Sequence, residues 1–411
     1  MTVYRCKRCK SIIEFEAGAT ETVCKMCGKK QRLPRLTPEQ AAALRKRIAV
    51  IAAIFAAVCA VFAVLLITVI IPFARYNAAV GLYGAGKYDE AIKAFTALNG
   101  YKDSDGQIEK CKEAKKEASY NSAVQLYENG KFEEALSIFT SLNGYKDSAD
   151  RAVLCGAAFS EQRYNEALSL IERGDIMKAY ETLIKLDGYK DSADKAKDLF
   201  DQYKSVKLRA AAAGDTVYFG KYEQDNDPSN GKEDIEWLVL DKNGDDLLIL
   251  SRYALDSHPY NSVCSDITWE TCTLRTWLND TFFNAAFDEE EQKSVIVSTV
   301  TADKNPWYDT PPGNDTEDKI FLLSIDEANR YLTTGESRMC APTECAMARG
   351  AGTGESIFEF GRHYCWWVLR SPGYYPYYVS FVYYSGYVNL YGYESSLPSD
   401  AVRPALRIRT K

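Results

Sequence analysis

The sequence is poor in histidine and lacks the ligand spacing of an EF-hand calcium site. Its 411 residues include two histidines, His258 and His363, and a catalytic triad needs a histidine set between a nucleophile and an orienting group. Neither histidine shows that pattern, so we expect both to be ordinary surface or core residues. The acidic stretch EQDNDPSNGKED (residues 223–234) lacks EF-hand ligand spacing, so we interpret it as a solvated loop without lectin-type calcium binding.

Charge is absent from the twenty-six residues between Ile48 and Phe73, and about 20 apolar residues suffice for a helix to cross a bilayer. A secretory signal peptide is the alternative, but its apolar region is shorter, roughly 7–15 residues, and begins near the N-terminus. Residues 1–47 carry twelve Lys/Arg against four Asp/Glu, and one basic residue, Arg75, follows the run closely. The sequence therefore predicts one transmembrane helix over 48–73, a cytoplasmic N-terminus and extracellular C-terminal domains.

Two Cys-x-x-Cys pairs, Cys6/Cys9 and Cys24/Cys27, are separated by fourteen residues. This spacing is typical of four thiolates that converge on one structural Zn²⁺. Two disulfides are the alternative, but cytosolic thiols stay reduced. We predict a cytoplasmic zinc ribbon over residues 1–36, and membrane topology explains the basic residues beside it better than nucleic-acid binding does.

A period of forty-four residues follows the apolar run. Tyr-Asn recurs at positions 76, 120 and 164, and GYKDS recurs at 100, 144 and 188. A period of this size predicts stacked helices, here three copies over 76–205, each a helical hairpin plus an added helix. The pattern LYENGKFEEALSIF resembles tetratricopeptide-type repeats. That resemblance implies an α-solenoid, which we interpret as a stalk more readily than as a peptide-binding groove.

Short alternating runs replace the helical period from Gly214 onward, among them TVYFGKY, IEWLVLD and WWVLRSP. They predict strands interrupted by two helices, TLRTWLNDTFFNAAF and SIDEANRYLTT, and the second begins with a capping box at Ser324 and Glu327. We therefore predict an α+β domain over 214–411. The predicted fold class of the whole chain is multidomain: zinc ribbon, transmembrane helix, α-solenoid and α+β domain.

Several motifs of this last domain agree in order with one family. IEWLVLDKNGDDLLILSRYALD, TLRTWLNDTFFNAAF, WWVLRSPG, GYVNLYGY and VRPALRI resemble the C-type-lectin-fold variable proteins of bacterial diversity-generating retroelements, distant relatives of formylglycine-generating enzymes. The resemblance covers roughly 215–411. It implies a fixed scaffold on which selected codons between the tryptophan motif and VRPAL are rewritten by adenine-directed mutagenesis.

Residues 371–395 contain nine of the chain's 28 tyrosines. Nine buried phenols would need nine hydroxyl partners, so we expect the rings to be exposed. Strand alternation from Tyr387 places Val388 and Leu390 on the face opposite the tyrosines. Tyrosine mixed with Ser and Asn is typical of antibody binding loops. The predicted variable, ligand-binding set is Tyr374, Tyr375, Tyr377, Tyr378, Ser380, Phe381, Tyr383, Tyr384, Ser385, Tyr387, Asn389, Tyr391 and Tyr393.

Four further residues are predicted to hold this set rigid: Trp366, Trp367, Arg370 and Arg403. The five cysteines of the domain, an odd number, are interpreted as disulfides or buried thiols of undetermined pairing, with Cys340 and Cys345 in CAPTEC able to close a small loop. They are Cys264, Cys272, Cys340, Cys345 and Cys365.

The sequence thus predicts a binding protein, not an enzyme, whose partners are the membrane and an unidentified extracellular protein or glycan. Two other functions stay open. A formylglycine-generating-type oxidase, or another enzyme on the same fold, needs a reactive cysteine pair in a cleft. A cell-wall carbohydrate binder would also use exposed aromatic rings.

Overall fold

The structure is a computed structural model that describes residues 2–15, 19–33, 38–359 and 362–410. The chain divides into two compact units, residues 1–158 and 159–411. Helices dominate the chain before residue 211, and strands with short helices follow. The prediction of a helical region followed by a domain that contains β-sheets is confirmed.

Four short strands form two antiparallel hairpins at the N-terminus: β1 (Thr2–Arg5), β2 (Ile12–Phe15), β3 (Glu21–Val23) and β4 (Lys30–Arg32). Each hairpin turn carries one Cys-x-x-Cys pair. The buried apolar group here contains Cys6, Ile13 and Cys24. So small a core supplies little folding energy, and segments of this size commonly depend on a metal or another cross-link.

One long apolar helix follows. It consists of α1 (Pro38–Leu65), a π-helical turn (Leu66–Ile70) and α2 (Ile71–Gly84). The π-turn meets α2 where Pro72, which has no N–H to donate, interrupts the hydrogen-bond ladder. Within the described residues, this is the one helix long and apolar enough to cross a membrane. Its candidate span is Arg45–Gly84, and the most apolar 18-residue window has a mean hydropathy of 3.2 and no buried residue. The predicted span lies inside it.

Six more helices carry the 44-residue period: α3 (Tyr88–Thr96), α4 (Ser104–Glu128), α5 (Phe132–Ser141), α6 (Ser148–Glu172), α7 (Ile176–Ile184) and α8 (Ser192–Ala210). The expectation of a hairpin plus an added helix in each copy is wrong. The added helix is continuous with the first helix of the next hairpin, because no proline and no left-handed residue separates them. Each period therefore contains one long and one short helix.

The GYKDS motif makes the turn that precedes each long helix. In the second copy Asn143, Gly144 and Lys146 all have positive φ (46°, 83° and 51°). The Asp147 carboxylate, directly before α6, accepts hydrogen bonds from Tyr120 and from the Arg151 guanidinium. Tyr76–Asp103 and Tyr164–Asp191 repeat the tyrosine contact, so the periodic Tyr and Asp residues lock helix to turn.

The described residues of the later domain form fifteen strands. They are β5 (Thr216–Tyr222), β6 (Glu233–Asn243), β7 (Asp246–Ser251), β8 (Asp256–Ser257), β9 (Val295–Ile296), β10 (Ser298–Val300), β11 (Thr316–Asp318), β12 (Ile320–Phe321), β13 (Thr353–Glu359), β14 (Arg362–Cys365), β15 (Trp367–Pro372), β16 (Tyr378–Val382), β17 (Val388–Glu394), β18 (Ala401–Val402) and β19 (Ala405–Arg409). The larger sheet has the order β12-β19-β7-β6-β5, with β9 also on β19, and a second sheet has the order β17-β16-β15-β18-β8.

Short helices connect these strands: α9 (Thr273–Trp277), α10 (Phe283–Ala286), α11 (Glu289–Ser294), α12 (Ile325–Tyr331), α13 (Gly335–Arg338) and α14 (Glu344–Ala348). A π-helical turn, Leu278–Phe282, joins α9 to α10. The predicted capping box at Ser324 and Glu327 is confirmed at the start of α12. One continuous core, which includes Trp237, Phe282 and Trp367, connects both sheets.

Candidate functional site

The tyrosine-rich segment forms one edge of the second sheet. β15, β16 and β17 are consecutive antiparallel strands, joined by turns at 373–377 and 383–387. None of the nine tyrosines is buried. Five of them are between 38% and 58% exposed: Tyr374, Tyr375, Tyr387, Tyr391 and Tyr393. We call the nine tyrosines the tyrosine face.

The rings of the tyrosine face form two groups of contacts. In the first ring cluster Tyr374 stacks on Tyr391 with centroids 5.1 Å apart, and Tyr375 stacks on Tyr377 at 5.4 Å. Burial and the neighbouring phenol of Tyr375 raise the pKa of Tyr391. The members of this cluster are Tyr374, Tyr375, Tyr377, Tyr378, Tyr391 and Tyr393, together with Tyr308 from the 301–315 loop. The second ring cluster comprises Phe381, Tyr383, Tyr384 and Tyr387.

Alternation along β17 follows the prediction. Val388 is buried and Leu390 packs against the core, while Tyr391 and Tyr393 are exposed. Ser385 is exposed, and Asn389 is half-buried and accepts the Gly392 N–H at 3.0 Å. Strands of this kind present one row of side chains outward and anchor the other row in the core.

Ser380 does not lie on the surface, contrary to the prediction. Its side chain is fully buried, and its hydroxyl donates to the carbonyl oxygen of Pro372 at 2.9 Å. The register of β16 shifts between Val379 and Phe381, and such an irregularity breaks strict alternation. Ser380 therefore supports the tyrosine face from below.

Arg370 holds the strand under the face. Its buried guanidinium donates to the carbonyl oxygens of Thr301 and Leu322 at 3.3 and 2.8 Å, and it forms ion pairs with Asp303 and Glu327. Carboxylates and carbonyls thus satisfy a charge that would otherwise be costly to bury. The contacts fasten β15 to the start of the 301–315 loop and to α12.

The other predicted scaffold residues lie close by. Trp367 is fully buried and donates through Nε1 to Arg338 O at 2.9 Å. The buried guanidinium of Arg403 lies 5.0 Å from the Trp367 ring centroid, and its Nε donates to Ser251 O. Trp366 differs, because it is half-buried and lines a surface pocket.

The turn at 383–387 depends on close backbone contact. Gly386 has a φ of +76°, and a Cβ there would lie 1.8 Å from Gly335 O. The Arg338 guanidinium donates to Gly386 O at 2.7 Å. A glycine is therefore required at this position.

The 301–315 loop supports the face in a way that the sequence did not indicate. Asn305 Nδ2 donates to the carbonyl oxygens of Pro372 and Leu390 at 2.8 and 2.7 Å, and the Thr310 hydroxyl donates to Tyr374 O. These bonds reach the main chain of the face and use none of its side chains. Nearby, Trp307 is 70% exposed. Sequence reasoning missed this loop because its contacts span more than sixty residues.

The N-terminal cysteines converge as predicted. One ligand atom from each of Cys6, Cys9, Cys24 and Cys27 lies within 4.8 Å of the others. The Cys6–Cys27 and Cys9–Cys24 sulfur atoms are 3.7 and 3.6 Å apart. Tetrahedral Zn²⁺ with Zn–S bonds of about 2.3 Å requires sulfur separations of about 3.8 Å, so the arrangement is compatible with zinc. Both knuckle turns need a left-handed residue, which Lys10 and Gly28 supply.

A carboxylate group that the sequence did not indicate lies in the acidic loop. Oxygen atoms of Glu223, Asp225 and Glu233 lie within 4.8 Å of one another. Glu233 accepts the main-chain N–H groups of Gln224 and Asp225. Burial and the charge of Glu233 raise the pKa of Glu223. These contacts organise the loop around Glu233.

The cysteines of the domain are mostly inaccessible. Cys264 is exposed, whereas the other four are buried. Cys340 pairs with Cys365 in an isolated backbone β-bridge, in which the Cys365 N–H donates to Cys340 O at 2.9 Å. The thiols of Cys340, Cys345 and Cys365 are free. The His258 ring stacks on Trp277, and none of its described contacts is with a nucleophilic side chain.

Comparison with known proteins adds one family. A family model described as a domain of unknown function, DUF6273, matches residues 244–410. No curated protein and no solved structure matches the chain. The matched segment begins at the turn before β7 and contains the whole tyrosine face, the 301–315 loop and all four predicted scaffold residues.

Proposed function

We propose that this chain is a membrane-anchored, surface-displayed protein that binds an extracellular ligand through the tyrosine face. The observation that supports the proposal most is that none of the nine tyrosines at this sheet edge is buried and five are exposed, while the contacts beneath them are made by buried residues and the main chain. Exposed aromatic patches of this kind usually mark interaction sites. Tyrosine offers large contact area at low conformational-entropy cost.

The second part of the proposal concerns variability. The 301–315 loop and Arg370 hold the face through backbone atoms and buried groups, so the exposed side chains can change without loss of those contacts. Such a division suits the diversified proteins that the C-terminal motifs resemble. We therefore assign the exposed and half-exposed members of the predicted variable set to a retroelement-diversified binding face on a lectin-type fold.

The third part concerns the N-terminus. The proposal places a structural Zn²⁺ on Cys6, Cys9, Cys24 and Cys27, because their spacing fits tetrahedral sulfur coordination. The metal would hold together two hairpins that share a very small core. With the apolar helix in a membrane, this ribbon lies in the cytoplasm and the tyrosine face lies outside.

Removal of the metal ligands tests the zinc ribbon. We expect the purified full chain to contain about one zinc ion per molecule, measured by plasma mass spectrometry. The C24S/C27S double variant should contain none, and C264S, which changes an exposed thiol elsewhere, should keep the full amount. Zinc retained by the double variant, or absent from the parent chain, contradicts the proposal.

Replacement of Tyr384, Tyr387 and Tyr391 by serine tests the binding face. The probe is a peptide selected from a random displayed library against the full chain in detergent. We expect the triple variant to lose at least about tenfold in affinity, since exposed aromatic anchors dominate such interfaces. Its melting temperature should stay nearly unchanged, because exposed substitutions typically alter stability by about 0.5 kcal/mol or less.

Two matched variants accompany this experiment. The V297S/M347S variant removes exposed apolar side chains outside the face and should retain both binding and stability. R370A leaves Asp303 and Glu327 unpaired and should lose about 3 kcal/mol or more of unfolding free energy. A large loss of stability in the tyrosine variant would show that the rings belong to the core. Binding to peptidoglycan sacculi instead of peptides would favour the carbohydrate-binding alternative.

The exposed Cys264 tests the topology. A membrane-impermeant maleimide added to intact cells should label the parent chain, and C264S should remain unlabelled, because the other cysteines of that domain are buried. Labelling that appears only after the cells are permeabilised would place the tyrosine face inside and overturn a surface function.

The gene itself tests diversification. We expect a reverse-transcriptase gene nearby and a near-copy of the segment that encodes Tyr374 to Tyr393, with adenines at the positions where the two copies differ. Sibling genomes should then vary at the codons of exposed tyrosines and keep those of Trp367, Arg370 and Arg403. If sibling genomes carry an identical segment and no template copy, diversification is contradicted and the protein has a fixed binding face.

A further inference from the structure

A pocket of about 340 Å³ opens beside the second ring cluster. Phe381 and Tyr383 of that cluster line it, and Tyr393 of the first ring cluster, 54% exposed, brings the pocket to the surface. Trp366, Leu397 and Asp400 complete the lining. The pocket is thus a concave part of an otherwise projecting face, with four aromatic walls and one carboxyl group.

Asp400 is the unusual member of this lining. It is 6% exposed, and its Oδ2 atom has no hydrogen-bond partner within the described chain. Burial raises the pKa of this carboxyl to about 8, and the main-chain N–H of Tyr260 opposes that shift. An unpartnered buried acceptor is costly. It therefore requires either a bound proton or a donor that comes from outside the chain.

No basic side chain of the described residues meets this requirement. Arg403, three residues along the chain, lies over Trp367 and donates to Ser251 O. His258 directly follows the neighbouring strand β8. Its main-chain N–H donates to Asp400 O at 3.0 Å, and its ring stacks on Trp277. The other titratable groups that face the pocket are the phenols of Tyr383 and Tyr393. Within the described residues, Asp400 Oδ2 thus lies buried in the pocket wall without an internal donor.

The surrounding rings favour a cation as well. Aromatic faces attract positive charge, and tryptophan does so most strongly. Trp366, Tyr383 and Tyr393 can provide such faces, and Phe381 lies 4.9 Å from Tyr383, centroid to centroid. Aromatic walls around a carboxyl group combine ring attraction with one charge-assisted hydrogen bond.

The unpartnered Oδ2 atom of Asp400 indicates which kind of cation suits the pocket. A quaternary ammonium has no N–H and would leave Oδ2 unsatisfied. A guanidinium brings five donors into a lining that offers one carboxyl group and two phenols. A primary ammonium on an alkyl chain donates to the carboxylate and lays its methylene groups against the rings, as buried lysine stems do.

We propose that this pocket binds a primary alkylammonium group, such as a lysine side chain, presented by the ligand of the tyrosine face. The proposal rests on the binding function given above and specifies the chemistry of the ligand. Tyr393, Tyr383 and Phe381 belong to the predicted variable set, whereas Asp400 and Trp366 lie outside it. Asp400 and Trp366 then form the constant part of a pocket whose other aromatic walls belong to the variable set.

Binding of n-pentylammonium to the purified full chain tests this proposal, with 1-hexanol as its neutral counterpart. Both are measured by calorimetry at pH 6, 7 and 8. An ammonium ion binds the ionised carboxyl, so occupancy should release a proton and the affinity should rise as the pH approaches 8, by up to about tenfold per pH unit. We expect 1-hexanol to bind more weakly and without this pH dependence.

Three variants separate the groups involved. D400N should lose at least about tenfold in affinity for n-pentylammonium and all of the pH dependence. H258N should keep both, which assigns the titration to Asp400 and not to the nearby imidazole. V297S/M347S, outside both the tyrosine face and the pocket lining, should bind the amine as the parent chain does.

The fold of D400N is checked by its stability. A carboxyl whose pKa is raised by folding stabilises the native state at acid pH and loses that contribution as the pH rises from about 4 to about 8. Asparagine does not ionise, so D400N should gain stability relative to the parent chain across this range. If D400N is more stable than the parent chain over this pH range, the variant is folded. Its loss of amine binding then reports the missing carboxylate and not unfolding.

Amine binding that persists in D400N, or that equals 1-hexanol binding, overturns the proposal. So does stronger binding of tetramethylammonium or n-butylguanidinium than of n-pentylammonium. These failures are separate from failure of the binding face: the selected peptide would still distinguish the Y384S/Y387S/Y391S variant from the parent chain if the face binds ligand without an ammonium anchor.

Discussion

The guanidinium of Arg370 is the interaction on which the tyrosine face depends. It is buried beneath β15, and it joins that strand to Leu322, to the carboxylate of Glu327 at the start of α12 and to the 301–315 loop. The same loop then reaches the main chain of the face through Asn305. A buried charge with several fixed acceptors allows few alternative positions for the strand. Because this charge fixes the strand beneath the face, the exposed aromatic side chains above it do not need a hydrophobic core of their own.

This arrangement separates stability from recognition along a short segment. Val379, Val382 and Val388 point into the core, whereas the tyrosines contact mainly one another and solvent. The hydrogen bonds from Asn305 and Thr310 reach only carbonyl oxygens of the face, so they do not depend on the identity of the side chains there. Tyr308 of the same loop adds ring contacts with Tyr374 and Tyr391. The buried carboxyl of Asp400 belongs to the stable layer and yet borders the exposed one. A fixed chemical anchor can therefore coexist with contacts that vary.

The parts of the structure set by local spacing were predictable. Cys-x-x-Cys pairs place their own sulfur atoms, a 44-residue period implies stacked helices, and alternation around Val388 and Leu390 follows from strand geometry.

Ser380 was misassigned because a register shift in β16 breaks that alternation. The number of helices per repeat was wrong because the helix signal continues through Tyr120 without a breaking residue. Asn305, Tyr308 and Asp400 escaped notice because their roles arise from contacts far apart in sequence, which no local pattern records.

Hydroxyl-radical footprinting of the full chain in detergent, with residue-level mass spectrometry, tests the central claim most directly, because radical oxidation follows the solvent exposure of each ring. Our account predicts rapid oxidation of Tyr387, Tyr391 and Tyr393, and protection of the buried Tyr222 and Tyr260 in the same molecule. Protection of the first three to the level of Tyr260 would contradict it, since rings shielded in that way belong to the interior and have no surface left for a ligand.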